Sequence, residues 1–276
     1  MRTRVALVQL NSGTDRTANL ASIEHWVLQA AAAGAQLIIT PEYSDIRGDT
    51  VQLQAAATPM GGVVTQHMAA LAQRTGCWLH LGSFHERIPH EDRLGNTSVL
   101  FNPQGQVAAT YRKLHLYDAT VNGMPYREGD DFVPGDALVT TEAAGLQLGL
   151  SICYDLRFAE QFRALRAQGA QALVVPAAFN VHTGRDHWEV LLRARAIENQ
   201  CYVLAAAQIG GPGPRMPSYG RSMVVDPWGT VVACMPDGEG FICADIDTAR
   251  LTHIRTQLPA WEHRRNDVYG SATHRT

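Results

Sequence analysis

One cysteine in this sequence sits where a thiol can act as a nucleophile. Residues 146–152 form an apolar run that reads as a strand, Cys153 follows it directly, and Phe158, Phe162 and Leu165 then recur at helical spacing. A thiol at such a strand-to-helix junction stands at a sheet edge, beside backbone N–H groups that the helix leaves unpaired and that favour a developing anion. The same position also suits a small buried filler, so the assignment needs partners for the thiol. Histidine is the usual base, and the chain has 11. None stands apart. His80, His85, His90 and Glu86 approach a zinc-binding pattern, but Pro89 forbids a helix there, and they read as loop and strand-end residues. His182 and His187 follow Pro176, and His187 can simply open a helix that runs to Asn199. Carboxylates offer the other base. Glu42 comes after a strand at 37–40 and Pro41, which presents it at a strand end, although a solvated loop glutamate has the same local sequence. Lys113 closes a strand at 107–112, and Glu128 lies in a Gly-, Asp- and Pro-rich loop ahead of the strand that leads to Cys153.

Lys113 is the only lysine: the other 22 of the 23 basic residues are arginine. A coding bias toward arginine accounts for the general depletion. A lysine that survives it also marks a place where a compact ammonium on a flexible stem does what a planar fork does not.

The composition narrows the classes. A chain of 276 residues can bury about three quarters of its unfolded surface without a disulfide or metal staple. With 46% hydrophobic and 18% charged residues it is neither disordered, collagenous nor a coiled coil. The net charge of -3 is spread without long runs, so no footprint for nucleic acid or an anionic membrane is present, and small molecules are the expected partners. No stretch is apolar for long enough to span a bilayer, and the first ten residues read as a strand rather than a signal peptide, which gives a cytoplasmic expectation. Five cysteines, without a C-x-x-C pair, argue against a disulfide framework or thiolate metal site; most should be small buried hydrophobes.

The elements that must position these groups alternate, as in α/β folds. Strands are expected at 5–10, 37–40, 77–84, 97–101, 107–112 and 146–152, with helices at 17–33, 62–75 and 187–199. Asn102-Pro103-Gln104-Gly105 makes a hairpin turn. Part of this plan repeats. Gly34-Ala35-Gln36 precedes four residues and Pro41, as Gly169-Ala170-Gln171 precedes four and Pro176, while the turn at Pro103 returns at Pro227 between strands 223–225 and 231–233. The pattern predicts two similar βα halves packed sheet on sheet with helices outside, and ligands where strand ends from both halves converge.

Residues 41–42 (PE), 111–118 (YRKLHLYD) and 151–158 (SICYDLRF) resemble, in order, the three signature regions of the nitrilase, or carbon-nitrogen hydrolase, superfamily. Further segments at 178–180, 183–184, 187–196, 200–203 and 222–229 are similar to its amidase branch. The resemblance implies a four-layer αββα sandwich over a single domain at 1–270, a flexible tail at 271–276, and a homodimer or higher homo-oligomer, with residues 263–269 packing across the dimer. It implies a Glu-Lys-Cys triad in which Cys153 is the nucleophile, Glu42 the general base and Lys113 the electrostatic stabiliser. Glu128 would be a second acid that orients substrate, and the Tyr154 N–H an oxyanion donor. Arg127-Glu128-Gly129 departs from the branch's glutamate-serine pair. No metal or organic cofactor has a role. The implied activity is hydrolysis of a linear carboxamide of a small acid through a thioester with release of ammonia, on deaminated glutathione ahead of α-ketoglutaramate. Nitrile hydrolysis, N-carbamoyl amino acid hydrolysis and a silent binding protein are the alternatives. Arg157, Phe179, Asn180, Thr183 and Arg195 are expected near the substrate, with the arginine-rich helix at 187–199 as a source of cationic contact. Arg157 has a second possible role, bracing the loop after the thiol by pairing with an acid.

Overall fold

In the computed structural model, which describes residues 1–212 and 217–269, side-chain alternation along the first strand sets the layering. Val5 and Leu7 of β1 (Arg2–Gln9) point one way, Ala6 and Val8 the other, and all are fully buried. Such a strand must be covered on both faces. The remaining strands are β2 (Leu37–Ile39), β3 (Trp78–Arg87), β4 (Leu94–Phe101), β5 (Val107–Arg112), β6 (Asp118–Val121), β7 (Met124–Arg127), β8 (Thr140–Ala143), β9 (Leu146–Leu150), β10 (Ala172–Val174), β11 (Tyr202–Ala205), β12 (Ile209–Gly210), β13 (Ser218–Tyr219), β14 (Met223–Val225), β15 (Val231–Cys234) and β16 (Gly240–Asp247). The helices are α1 (Arg16–Ala32), α2 (Thr50–Ala56), α3 (Val63–Thr75), α4 (Glu128–Asp131), α5 (Ala159–Ala167), α6 (Val181–Thr183), α7 (Glu189–Asn199), α8 (Thr248–Gln257) and α9 (Asn266–Tyr269).

Two six-stranded sheets run β16-β1-β2-β3-β4-β5 and β15-β14-β11-β10-β9-β8. Their inner faces meet through Val5, Leu7 and Ile39 on one side and Leu148, Leu150, Val174 and Leu204 on the other. Ala6, Val8 and Ile38 face Ile23 and Val27 of α1 and Met68 and Leu71 of α3, while Leu173 and Val203 face Phe162 of α5 and Leu192 of α7. The order helix, sheet, sheet, helix is therefore the expected αββα sandwich.

The halves repeat as the sequence foretells. β1 to β5 pair parallel, parallel, antiparallel, antiparallel, and β9, β10, β11, β14 and β15 do the same. Gly34 and Gly169 open the two matching segments at φ 86° and 96°, a left-handed conformation that lets the chain leave a helix and turn into the next strand.

Several boundaries differ from expectation. β3 runs to Arg87, so His85 and Glu86 are strand residues, and His80 is fully buried in the same strand. Their side chains serve different partners: His80 meets Ser98 Oγ at 2.6 Å, His85 Nδ1 meets Asp45 Oδ1 at 2.9 Å, and Glu86 accepts from Arg112 at 2.8 Å. Burial pushes His80 down to about 3. The helix expected from His187 becomes regular only at Glu189, after a wide turn at Gly184–Trp188. Of the cysteines, Cys77 and Cys201 are buried, Cys153 and Cys243 half-buried, and Cys234 exposed on the outermost strand β15. No described helix is long and apolar enough to cross a membrane. Residues 271–276 lie outside the described residues.

Candidate active site

Glu42 reaches the site because β2 ends against β3 without a side chain between them. A Cβ at Gly82 would collide with the carbonyls of Thr40 and Pro41, so only glycine admits this approach. The chain then turns at Tyr43 with φ 54°, held by a bond from its N–H to Ser83 Oγ at 2.9 Å. Glu42 is almost wholly buried. Its Oε1 accepts from Lys113 Nζ at 3.0 Å and Asn96 Nδ2 at 2.9 Å, and its Oε2 from the Ala178 N–H at 2.7 Å. Ala178 belongs to the second half, just beyond Pro176, so the loop that matches Pro41-Glu42 in the repeat reaches across to hold the acid.

Lys113 follows β5, with its N–H on the Asn96 carbonyl at 3.0 Å and its side chain fully enclosed. The ammonium spends its donors on Glu42 Oε1 and on Glu128 Oε1 and Oε2 at 2.9 and 2.8 Å. Glu128 opens α4 rather than lying in an irregular loop. The β6–β7 hairpin, turning at Asn122 and Gly123 with φ 50° and 74°, returns it beside Tyr117, whose N–H donates to Glu128 Oε2 at 2.6 Å. Tyr43 Oη donates to Glu128 Oε1 at 2.7 Å.

Cys153 starts a 3-10 turn, Cys153–Arg157, with φ 47°. A non-glycine residue in this region costs about 1–3 kcal/mol and needs surroundings that hold it. The Cys153 N–H bonds the Pro176 carbonyl at 2.9 Å, and the buried Asp155 carboxylate accepts from the Ile152 N–H at 2.8 Å. Asp155 also accepts from Tyr111 Oη at 2.6 Å, the His115 N–H at 3.0 Å and His115 Nδ1 at 2.8 Å. One carboxylate thereby ties the thiol's turn to the residues on either side of Lys113.

The charges differ in state. Burial alone would lower Lys113, but Glu128 and Glu42 outweigh it and hold the ammonium well above its ordinary range. Burial would raise Glu128, yet the charge and hydrogen bonds of Lys113, with Tyr43 and the Tyr117 N–H, keep it below the usual value. Cys153 is pushed well up, first by burial and then by the Glu42 charge, with Lys113 opposing. The resting thiol is protonated beside a carboxylate.

Glu42, Lys113, Glu128 and Cys153 line one cavity of about 360 Å³, as do Arg157, Phe179, Asn180, Thr183 and Tyr154. The Arg157 guanidinium lies over the rings of Phe179 and Tyr154, 5.1 and 5.8 Å from their centroids, with Nη1 3.2 Å from His187 Nδ1. No carboxylate pairs with it among the described residues, so the bracing role through an acid is not seen. Arg195 is brought elsewhere: 5% exposed, it bonds the Leu156 carbonyl at 3.0 Å and Glu198 at 2.9 Å, and it does not line the cavity. The inner face of α7 packs on its own sheet, which turns that arginine into the scaffold. His182 and His187 do not line the cavity either. Sequence reasoning missed Asn96, Tyr43, Arg47 and Tyr126. Tyr43 adjoins Glu42 in the chain, but nothing local shows that its hydroxyl turns to Glu128. Tyr126 Oη accepts from Asn180 Nδ2 at 2.7 Å across the cavity wall.

This sandwich, with a thiol, a buried lysine and two carboxylates at the strand ends, is matched over residues 4–256 by the family described as carbon-nitrogen hydrolase, and the chain belongs to that family. It is a hydrolase of carbon-nitrogen bonds other than peptide bonds, in the amidase group. Among its relatives, the deaminated glutathione amidase of Homo sapiens is 45% identical over 98% of this chain and 84% of its own. The crystal structure of the C. elegans NitFhit protein superposes with a TM-score of 0.93 at 36% identity, covering 98% of this chain and 66% of that longer one. A glutamate-to-glutamine mutant of the amidase from Nesterenkonia sp. AN1, showing Michael addition of acrylamide at its active-site cysteine, superposes with a TM-score of 0.77 at 29% identity over 93% of this chain and 98% of that one.

Proposed function

We propose that the chain hydrolyses deaminated glutathione through a thioester on Cys153, with Glu42 as general base, Lys113 as electrostatic stabiliser and Glu128 as the acid that positions Lys113. The observation that carries this is the Cys153 thiol in one cavity with the buried Glu42 carboxylate, which itself pairs with the buried Lys113 ammonium at 3.0 Å. As Sγ attacks the amide carbon, the thiol proton passes to Glu42 and the carbonyl electron pair moves to oxygen. The Tyr154 N–H meets that oxyanion: the first bond inside the turn runs from the Asp155 N–H to the Ile152 carbonyl at 3.0 Å, so Tyr154 precedes the turn's own ladder. Glu42, once neutral, is a weaker acceptor, and Lys113 turns an N–H from it to the oxyanion. The C–N bond then breaks as Glu42 protonates the leaving nitrogen. Water, deprotonated by Glu42, cleaves the thioester. Arg157, Phe179, Asn180 and Thr183 line the wall beside the thiol and bind substrate in this reading.

Deaminated glutathione is a secondary amide and releases a dipeptide amine, not the ammonia of the sequence expectation, whereas a primary carboxamide such as α-ketoglutaramate releases ammonia. Kinetics on these two, a nitrile and an N-carbamoyl amino acid, with intact-mass detection of the acyl adduct, test the proposal. The expected result is the highest kcat/KM on deaminated glutathione and added mass on Cys153, with no turnover and no adduct in a folded Cys153→Ala. Faster hydrolysis of α-ketoglutaramate or a nitrile, or an adduct on Cys77, Cys201, Cys234 or Cys243, overturns it. The proposal includes a single domain, a cytoplasmic location and a homodimer or larger assembly. Exposed Val190 and Ile197 on α7 support the last, because Ile197 adjoins the turn that carries the exposed Trp228 and so extends one apolar face. Light scattering in solution gives the assembly size.

A further inference from the structure

We propose that Asn96 is a positioning residue of this reaction: its amide fills Oε1 of Glu42 and clips Glu42 to Glu128, so that the thiol proton is taken at Oε2. This rests on the reading of Glu42 as the base.

Asn96 sits in β4, on the strand next to Lys113, and has no solvent exposure. Its Nδ2 donates to Glu42 Oε1 at 2.9 Å and to Glu128 Oε1 at 3.1 Å, one hydrogen to each carboxylate. Its Oδ1 is buried and accepts from nothing among the described residues. An unpaired buried carbonyl is a standing cost, and a flip of the amide would not relieve it, because Oδ1 would then face two carboxylate oxygens. The protein keeps an orphan oxygen in order to hold Nδ2 on both acids. Such an exception to the pairing of buried polar groups calls for a functional account.

The account lies in the two oxygens of Glu42. Oε1 already accepts from Lys113 and Asn96, whereas Oε2 has the Ala178 N–H alone. A third hydrogen at Oε1 has no free lone-pair direction, so Oε2 receives the proton while the S–C bond forms. The clip also holds two carboxylates close enough for one ammonium to serve both. The charged and titratable groups facing this cluster are Glu42, Tyr43 and Arg47 after β2, Lys113 and Tyr117 after β5, Glu128 on α4, and Cys153 on its turn. Tyr43 is backed by His85, stacked 4.8 Å away and paired with Asp45. Of the neutral donors on Glu42, Asn96 alone is a side chain and can be removed by substitution.

The test is the pH profile of Asn96→Leu, which keeps the branched outline of the side chain and removes both donors. A donor to the charged form lowers a carboxylate's proton affinity, so its loss moves the acidic limb of kcat/KM to higher pH. kcat should fall roughly 10- to 100-fold through misplacement of Glu42, with KM changed less than about twofold. Alkylation of Cys153 by iodoacetamide, read by intact mass across the same pH range, needs no assigned substrate and should show the same displacement of its acidic limb. If leucine unfolds the chain, Asn96→Ser, which keeps one donor and can serve one carboxylate, replaces it and should shift the limb less in the same direction. Loss of activity with an unmoved acidic limb overturns the proposal and leaves Asn96 a packing residue. Glu42→Gln separates the two ideas: if it leaves the native limb in place, the reading of Glu42 as base fails, and if it abolishes the limb while Asn96→Leu does not move it, the inference about Asn96 alone fails.

Discussion

Replacing Lys113 with arginine keeps the charge and changes only its shape, in a chain that uses arginine at every other basic position. The ammonium converges on Glu42 and Glu128 at 2.8 to 3.0 Å from the bottom of an enclosed site with 2% exposure. A guanidinium is planar, larger and fixed in the directions of its N–H groups, so it can pair with one carboxylate in fork geometry but cannot also turn a donor onto the other acid and then onto an oxyanion. Two costs follow. Overpacking a buried position takes about 1–3 kcal/mol of stability, a fall in Tm of roughly 2–4 °C for each kcal/mol in a chain of this size. Loss of one preorganised oxyanion donor raises the barrier by about 3–4 kcal/mol, a fall in kcat of roughly 10²–10³. The assay is kcat and KM on deaminated glutathione beside a thermal melt of Lys113→Arg. The expected result is a folded protein with kcat reduced at least a hundredfold and KM within a few-fold. Activity above a tenth of native would refute the reasoning, because the lone lysine would then be an accident of composition.

Arg195→Met should lower Tm, because the Leu156 carbonyl loses its donor at a cost of about 1–3 kcal/mol, and should leave KM unchanged; a tenfold rise in KM with an unchanged melt would restore Arg195 as a substrate contact. Acid stability follows from Glu128. Its folded pKa lies below the ordinary 4.5, so its contribution is fully present above that value and is lost as pH falls through the folded one. Thermal midpoints measured from pH 6 downward should drop in this window, and Glu128→Gln should start lower and lose that part of the slope; an identical slope in the variant would show that the acid limb comes from other groups.

Some of this protein is written in local pattern. Cys153 stands out because an apolar run ends at it and helical spacing begins beyond it, and Lys113 because no other lysine exists. The repeated Gly-Ala-Gln segments forecast two halves, since each glycine takes a left-handed turn that the sequence must supply locally. The hairpin carrying Glu128 back to Tyr117 was not legible, because its short strands are largely exposed and lack a clear apolar alternation. Periodicity also gave the faces of α7 without saying which residue each face would meet, so Arg195 looked available for substrate.

What only the tertiary structure decided are the contacts that join distant segments. Glu42 meets Asn96, Lys113 and the Ala178 N–H at separations of 54, 71 and 136 residues, and Asp155 meets Tyr111 at 44. A period of two or 3.6 residues tells which way a side chain points relative to its own element. It carries no information on how one sheet is set over another, and that setting brings the ends of β2, β4, β5 and β9 to one place. The sequence by itself determined the chemical types and the strand ends that bear them; the packing of the two sheets determined that they line one cavity.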